Sequence, residues 1–210
     1  MTATDRVIET LRRFARAMEP TLPAVDLALP ALRALLDAAG VAYRLVGGVA
    51  VVHHGYARTT RDVDVLLDPT ADARLAPLLT GHGFARESRT RLRHLATGVS
   101  VDLLLAGDAR PRAGRPPYPA PQDVPASDRD GTVIGLAALL EMKLHAGRHQ
   151  DQADIVALLK PRSEAESDRE EREALAREEY TTLEAALPAA LRPEFHALWC
   201  DAREELAWET

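Results

Sequence analysis

Apolar residues recur along this chain at two periods, and the switch between them marks its elements. Val7, Leu11, Phe14 and Met18 fall at steps of four, three and four, the spacing of an amphipathic first helix. Pro20, Pro23 and Pro30 separate it from a second helix over about 31–39, which Gly40 stops. From Tyr43 the period shortens to two. Tyr43 to Val46 predicts a strand, and Arg61 to Leu67 a second, with Val63, Val65 and Leu67 on one face and Asp62 and Asp64 on the other. Asp68-Pro69-Thr70 ends that strand and caps a helix reaching about Leu79. Two more strands follow, about 90–96 and 99–105, joined as a hairpin at Thr97-Gly98. In the second of these, Ser100, Asp102 and Leu104 alternate with Val99, Val101, Leu103 and Leu105.

Residues 107–131 carry many prolines and no periodic apolar pattern, so they read as a long loop, functional or disordered. The helical period returns from Gly135 to about His145 and from Asp151 to about Leu159, with Pro161 beyond. Over 163–179 acids outnumber bases, consistent with a solvated helix or linker. Residues 180–208 hold Leu183, Leu187, Leu191, Phe195, Leu198 and Trp199, divided by Pro188 and Pro193. This gives three parts: an N-terminal helix and proline-rich linker (1–30), a mixed α+β core (31–135) and a C-terminal helical region (136–210).

Composition narrows the class. A chain of 210 residues with 46% hydrophobic content can bury a core, but aromatics at 4% leave that core to Leu, Val and Ala. The single cysteine, Cys200, allows no internal disulfide, fits a reducing cytoplasm and excludes a cysteine-based zinc site. It reads as a small apolar residue on a terminal helix. Neither a signal peptide nor a run of roughly 20 apolar residues is visible, so a cytoplasmic protein with no membrane partner is expected. A net charge of −6 argues against whole-molecule attraction to nucleic acid. Arg86, Arg89, Arg91, Arg93, Arg110, Arg112 and Arg115 nevertheless cluster beside few sequence-local acids. They read either as an RNA-facing patch or as solvated arginines.

The candidate chemistry lies where strand meets glycine. Gly47 and Gly48 permit close approach of backbone to a phosphate, and a helix N-terminus just after them offers unbonded N–H groups. Asp62 and Asp64 leave one face of their strand together. Adjacent carboxylates call for a cation or a shared proton, and Mg²⁺ suits carboxylate oxygens while keeping room for substrate phosphates. If the 99–105 strand pairs beside theirs, Asp102 joins them, and three carboxylates can hold two divalent ions. His53 and His54 are adjacent on a helical stretch, point in different directions and read as satisfied, partly buried histidines.

At these residues the chain resembles the nucleotidyltransferase superfamily with the DNA-polymerase-beta-like fold. Val46-Gly47-Gly48, thirteen intervening residues and Asp62-Val63-Asp64 match its hydrophobic-Gly-Gly and acid-hydrophobic-acid motif. His54-Gly55, Arg58, Thr60 and Asp62 look like the corresponding run of minimal bacterial members. Lys143 and Arg148, followed by Asp151 and Asp154, are similar to the Lys-x4-Arg and Asp-x-x-Asp motifs of the AbiEii-type toxin branch. The resemblance covers roughly 40–160. It implies an α+β nucleotidyltransferase fold, with a small mixed β-sheet flanked by helices and C-terminal helices closing the cleft.

By the same resemblance, Gly47 and Gly48 would hold an NTP triphosphate, with Arg58 touching phosphate or forming a hinge-loop salt bridge. Asp62, Asp64 and Asp102 would ligate the metals, a pair of Mg²⁺ ions, and Asp102 would help ionise the attacking hydroxyl. Lys143 would neutralise phosphate charge; otherwise it is a solvent-exposed lysine. For Arg148, Asp151 and Asp154, catalytic and structural roles stand side by side: Asp151 can cap its helix, and Arg148 can pair with Asp151 or Asp154. The expected activity is transfer of a nucleoside monophosphate from an NTP to a hydroxyl, releasing pyrophosphate. Three identities compete. One is an AbiEii-like toxin modifying RNA, foremost a tRNA 3′ end, and restrained by an antitoxin partner. The second is an aminoglycoside- or lincosamide-type antibiotic nucleotidyltransferase, and the third a catalytically silent binding or regulatory partner.

Overall fold

The computed structural model describes residues 24–127, 131–160 and 169–208, with Asp5, residues 8–10 and Arg12 before them. The expected first helix depends on Val7, Leu11, Phe14 and Met18, which lie outside the described residues. The chain divides into two compact units, Met1–Gly135 and Leu136–Thr210.

The first unit is a mixed sheet with helices. Helix α1 spans Val25–Ala39, strand β1 Tyr43–Val46, helix α2 Gly47–His53, strand β2 Asp62–Leu67 and helix α3 Ala71–Leu75. Strands β3 (Phe84–Ser88), β4 (Arg91–His94) and β5 (Ser100–Leu105) follow. The sheet order is β1-β2-β5-β4-β3. Strands β2 and β5 run parallel and every other neighbouring pair antiparallel. Val63, Val65, Val101 and Leu103 fill one face, where Leu29, Leu32, Leu35 and Leu36 of α1 also contribute to the core. Beyond β1, Leu45 N–H donates to Thr132 O and Ile134 N–H to Leu45 O, so residues 132–134 cover that edge.

Two elements differ from the sequence reading. Helix α1 starts at Val25 and runs through Pro30 instead of beginning after it. The proline removes one helical hydrogen bond, at a cost of about 3 kcal/mol. Burying Leu29, Leu32, Leu35 and Leu36 on one stripe returns about 1.5–3 kcal/mol each, so burial prevails. Strand β3 was not foreseen because Phe-Ala-Arg-Glu-Ser has a single large apolar residue. As an edge strand it needs only Phe84 in the core.

The long loop is folded back on itself. Gly107 N–H donates to Tyr118 O and Tyr118 N–H to Asp108 O, while Arg110 donates to Pro116 O and lies over the Tyr118 ring. Asp108 also accepts two bonds from Arg89, at 2.7 and 2.8 Å, tying the loop to the β3–β4 turn.

The second unit is helical: α4 (Leu136–Ala146), α5 (His149–Leu159), α6 (Arg169–Ala186) and α7 (Arg192–Trp208). Pro188 and Pro193 fall where α6 ends and α7 begins, as their positions predict. Tyr180 of α6 stacks on Phe195 of α7, donates its hydroxyl proton to Glu184 at 2.6 Å and meets His196 Nδ1 at 2.8 Å. Burial and the Glu184 carboxylate push the Tyr180 phenol up to about 12. Because that hydroxyl proton goes to Glu184, the phenol oxygen accepts from His196 Nδ1, and His196 Nε2 lies 3.7 Å from the Cys200 sulfur. Among the described residues, no helix is long and apolar enough to cross a membrane.

Candidate functional site

The polar face of the sheet carries one row of charge. Parallel pairing sets Asp64 directly beside Asp102, and antiparallel pairing sets Asp102 directly beside Arg91. Asp62 lies on the same face, in register with Ser100. All three carboxylates are half-buried. Like charges so placed repel one another, and each is held by a different neighbour.

Asp62 is fixed by Thr60, whose hydroxyl lies 3.1 Å from the Asp62 carbonyl oxygen and 3.4 Å from its carboxylate. Asp64 stands against Gly47, because β1 and β2 pair Val46 with Asp64. A Cβ on Gly47 would overlap the Asp64 carboxylate, and φ of +57° there already favours glycine. Gly48 is equally constrained: a Cβ would collide with the Thr60 hydroxyl and lie 3.2 Å from Arg58 Nη2. The double glycine therefore has a reason within the fold, making room for Asp64 on one side and for Thr60 and Arg58 on the other. Arg58 donates to Thr59 O at 2.9 Å and so sits beside Gly48. Helix α2 is only seven residues long, so its dipole is small.

Asp102 is gripped from the opposite side. Arg91 donates from Nε to Asp102 Oδ1 at 2.6 Å and from Nη2 to Oδ2 at 3.2 Å. From sequence, Arg91 belongs to a basic patch, and Thr60 stands in the His-Gly, Arg, Thr, Asp run without a role of its own. Alternation along β4 was the available signal for Arg91, since it places Arg91 and Arg93 outward on the strand facing Asp102.

The basic patch itself changes character. Arg86 pairs with Asp72, Arg89 with Asp108, Arg91 with Asp102 and Arg93 with Glu87. Asp72, Asp102 and Asp108, distant in sequence, join the local Glu87 in supplying the opposing charge.

Lys143, Arg148, Asp151 and Asp154 come together in the second unit. Lys143 donates to Asp151 at 3.1 Å and to Asp154 at 2.6 Å, with its side chain 6% exposed and those of the acids 3% and 0%. It is thus a buried lysine, not a solvent-exposed one. Arg148 donates from Nε to Asp151 at 2.7 Å, and its backbone N–H also reaches the Asp151 carboxylate, which caps α5. Gln150 donates to the second oxygen of Asp154 at 3.0 Å. Burial pushes the Asp151 carboxyl up, but hydrogen bonds and attraction from Arg148 and Lys143 more than reverse this, holding it below the usual range. His54, as expected, is satisfied: its ring bonds Ile134 O at 2.8 Å.

Among the described residues, no three His, Cys, Asp or Glu side chains converge as a preformed cation cage. The Asp62, Asp64 and Asp102 set nonetheless fits a hard divalent ion. Its donors are carboxylate oxygens, all on one face and reachable by solvent, and Gly47 leaves Asp64 the room it occupies. Compared with known proteins, the chain matches no family model and no curated sequence.

Proposed function

We propose that this chain is a divalent-metal-dependent nucleotidyltransferase, moving a nucleoside monophosphate from an NTP to a hydroxyl and releasing pyrophosphate. The observation that carries the reading is the in-register pairing of Asp64 with Asp102, with Asp62 on the same face and Gly47 packed on Asp64. Asp62, Asp64 and Asp102 would hold the metal. A bound Mg²⁺ supplies Lewis acidity at phosphate oxygens and lowers the pKa of an attacking hydroxyl. Thr60 and Gly47 keep two of the carboxylates in place. Asp102 offers oxygens to the hydroxyl proton, and Arg58, beside Gly48, offers positive charge to phosphate. As the new bond to the α-phosphorus forms, the bond to pyrophosphate breaks. Lys143 is left out of phosphate binding, because Asp151 and Asp154 already match its charge.

For the acceptor, the AbiEii-like reading, an RNA 3′ end, is supported by the four toxin-branch motif residues forming one contact network. The pairing of Arg86, Arg89, Arg91 and Arg93 with acids favours the second reading, a small-molecule acceptor.

NTP and Mg²⁺ together should stabilise the protein by about 2.7 kcal/mol at a hundredfold excess over the dissociation constant. Thermal unfolding measures this. The shift should vanish with chelator and in Asp64→Ala; an equal shift in chelator would mean nucleotide binding without a metal site. The acceptors are separated by changing Arg89 and Arg93 together to Gln. RNA binding should weaken and its log–log salt slope flatten by about 0.7–0.9 per lost phosphate contact. A small-molecule acceptor predicts unchanged turnover in that variant.

A further inference from the structure

We infer that Arg91 is a built-in counter-ion of the third carboxylate: a divalent cation must compete with it for Asp102, and its displaced guanidinium then serves the phosphate of the substrate. This deepens the metal-dependent reading above and rests on it.

The argument begins with the sheet. Asp102 is the central member of a row three strands wide, with Asp64 on β2 to one side and Arg91 on β4 to the other. Adjacent strands stand about 4.8 Å apart. One carboxylate therefore lies within reach of both the anion it must help and the cation that holds it. The hold is two-pronged, Nε to Oδ1 and Nη2 to Oδ2, so both oxygens of Asp102 are engaged. Such fork-to-fork pairing fixes orientation as well as charge.

The field of Arg91 extends along the row. A guanidinium stays charged at any ordinary pH, and Arg91 stands one strand from Asp102 and two strands from the β2 strand that carries Asp62 and Asp64. A positive group felt by Asp62 as well as Asp102 disfavours a second cation at either. The contact is also open to solvent. Arg91 is 51% and Asp102 28% exposed in the side chain, so an arriving cation can reach the pair and the guanidinium can swing away without disturbing the core. Once released, Arg91 remains on the face that carries the carboxylates, with a planar fork suited to phosphate. Arg93, two residues along the same strand, pairs instead with Glu87 and with Gly98 O, so it provides the internal control.

The test uses Mn²⁺ as probe, followed by loss of the free-ion electron paramagnetic resonance signal, on the full chain without nucleotide. Arg91→Gln should bind Mn²⁺ about threefold to tenfold tighter than the wild type at low salt, the size expected for removing one positive charge beside a divalent-ion site open to water. Arg91→Lys keeps the charge and should stay near the wild type, as should Arg93→Gln. With Mn²⁺ saturating, the α,β-methylene analogues of the four NTPs are then titrated. Here the sign should reverse, with Arg91→Gln binding the preferred analogue more weakly. Circular dichroism checks that each variant is folded. Equal or weaker Mn²⁺ binding in Arg91→Gln, while Asp64→Ala abolishes it, overturns the inference and leaves the metal site standing. Tighter Mn²⁺ binding without the loss of nucleotide affinity overturns the hand-over. Mn²⁺ binding that Asp64→Ala does not reduce overturns both the inference and the reading beneath it.

Discussion

Asp64→Ala should lower nucleotidyl transfer on the order of a thousandfold or more, the scale of losing a group that acts on developing charge in the transition state. Pyrophosphate release measures it. The same change should leave the fold intact, because Asp64 is half-buried and removing one of three like charges relieves repulsion on that face. Without metal, the melting temperature should be equal to or above that of the wild type. Asp62→Ala and Asp102→Ala should lose transfer alike, with Asp102→Ala also giving up the Arg91 ion pair. Gly47→Ala should mimic Asp64→Ala by another route, since its methyl group would occupy the place of the Asp64 carboxylate and the left-handed backbone adds about 1 kcal/mol of strain. A fully active Asp64→Ala protein would remove that carboxylate from the chemistry.

Lys143→Met has the opposite signature, a loss of stability. It leaves Asp151 and Asp154 buried with their shared cation gone, and breaking a buried pair from one side costs about 3–5 kcal/mol. Urea unfolding should register that loss, while the exposed-lysine expectation predicts almost none. Arg148→Ala should cost less, because the Arg148 side chain is 77% exposed and Lys143 still faces Asp151. The network also has a pH dependence. Asp151 is held below the usual carboxylate range when folded, so the unfolded chain takes up its proton at higher pH. Its contribution is complete above the unfolded value of about 3.9 and is lost as pH falls through the lower folded value. In Lys143→Met that acid-side loss should be shallower, because Lys143 is one of the two groups that hold Asp151 down.

Much of the sheet was legible because strands buried on one side alternate. Asp62 and Asp64 opposite Val63 and Val65, and Asp102 opposite Val101 and Leu103, declared a face before any pairing was known. The pairing itself was not legible. A two-residue turn at Thr97-Gly98 would set Arg93 opposite Asp102. The chain instead closes with His94 N–H donating to Val99 O and Gly98 N–H to His94 O, which moves the register by two and brings Arg91 to Asp102. The partners of the arginines were hidden for a related reason: local sequence shows Arg86 to Arg93 beside few acids, and only the fold delivers Asp72 and Asp108. Lys143 illustrates a further limit. A lysine on a helix of weak amphipathic pattern reads as solvated, and its burial becomes visible only once Asp151 and Asp154 converge on it. The double glycine was read for a phosphate, and the fold places a second demand on it that the sequence does not show: Gly47 and Gly48 pack on the side chains of Asp64, Thr60 and Arg58.

The most direct measurement is incubation of the protein with each α-labelled NTP, Mg²⁺ and total RNA, or with aminoglycoside and lincosamide acceptors, scoring labelled product and released pyrophosphate. The account predicts label transfer to one acceptor class from a preferred NTP, stoichiometric pyrophosphate, and loss of both with chelator or Asp64→Ala. Pyrophosphate and labelled product at wild-type levels in Asp64→Ala, or no pyrophosphate from any NTP with any of these acceptors, would contradict it.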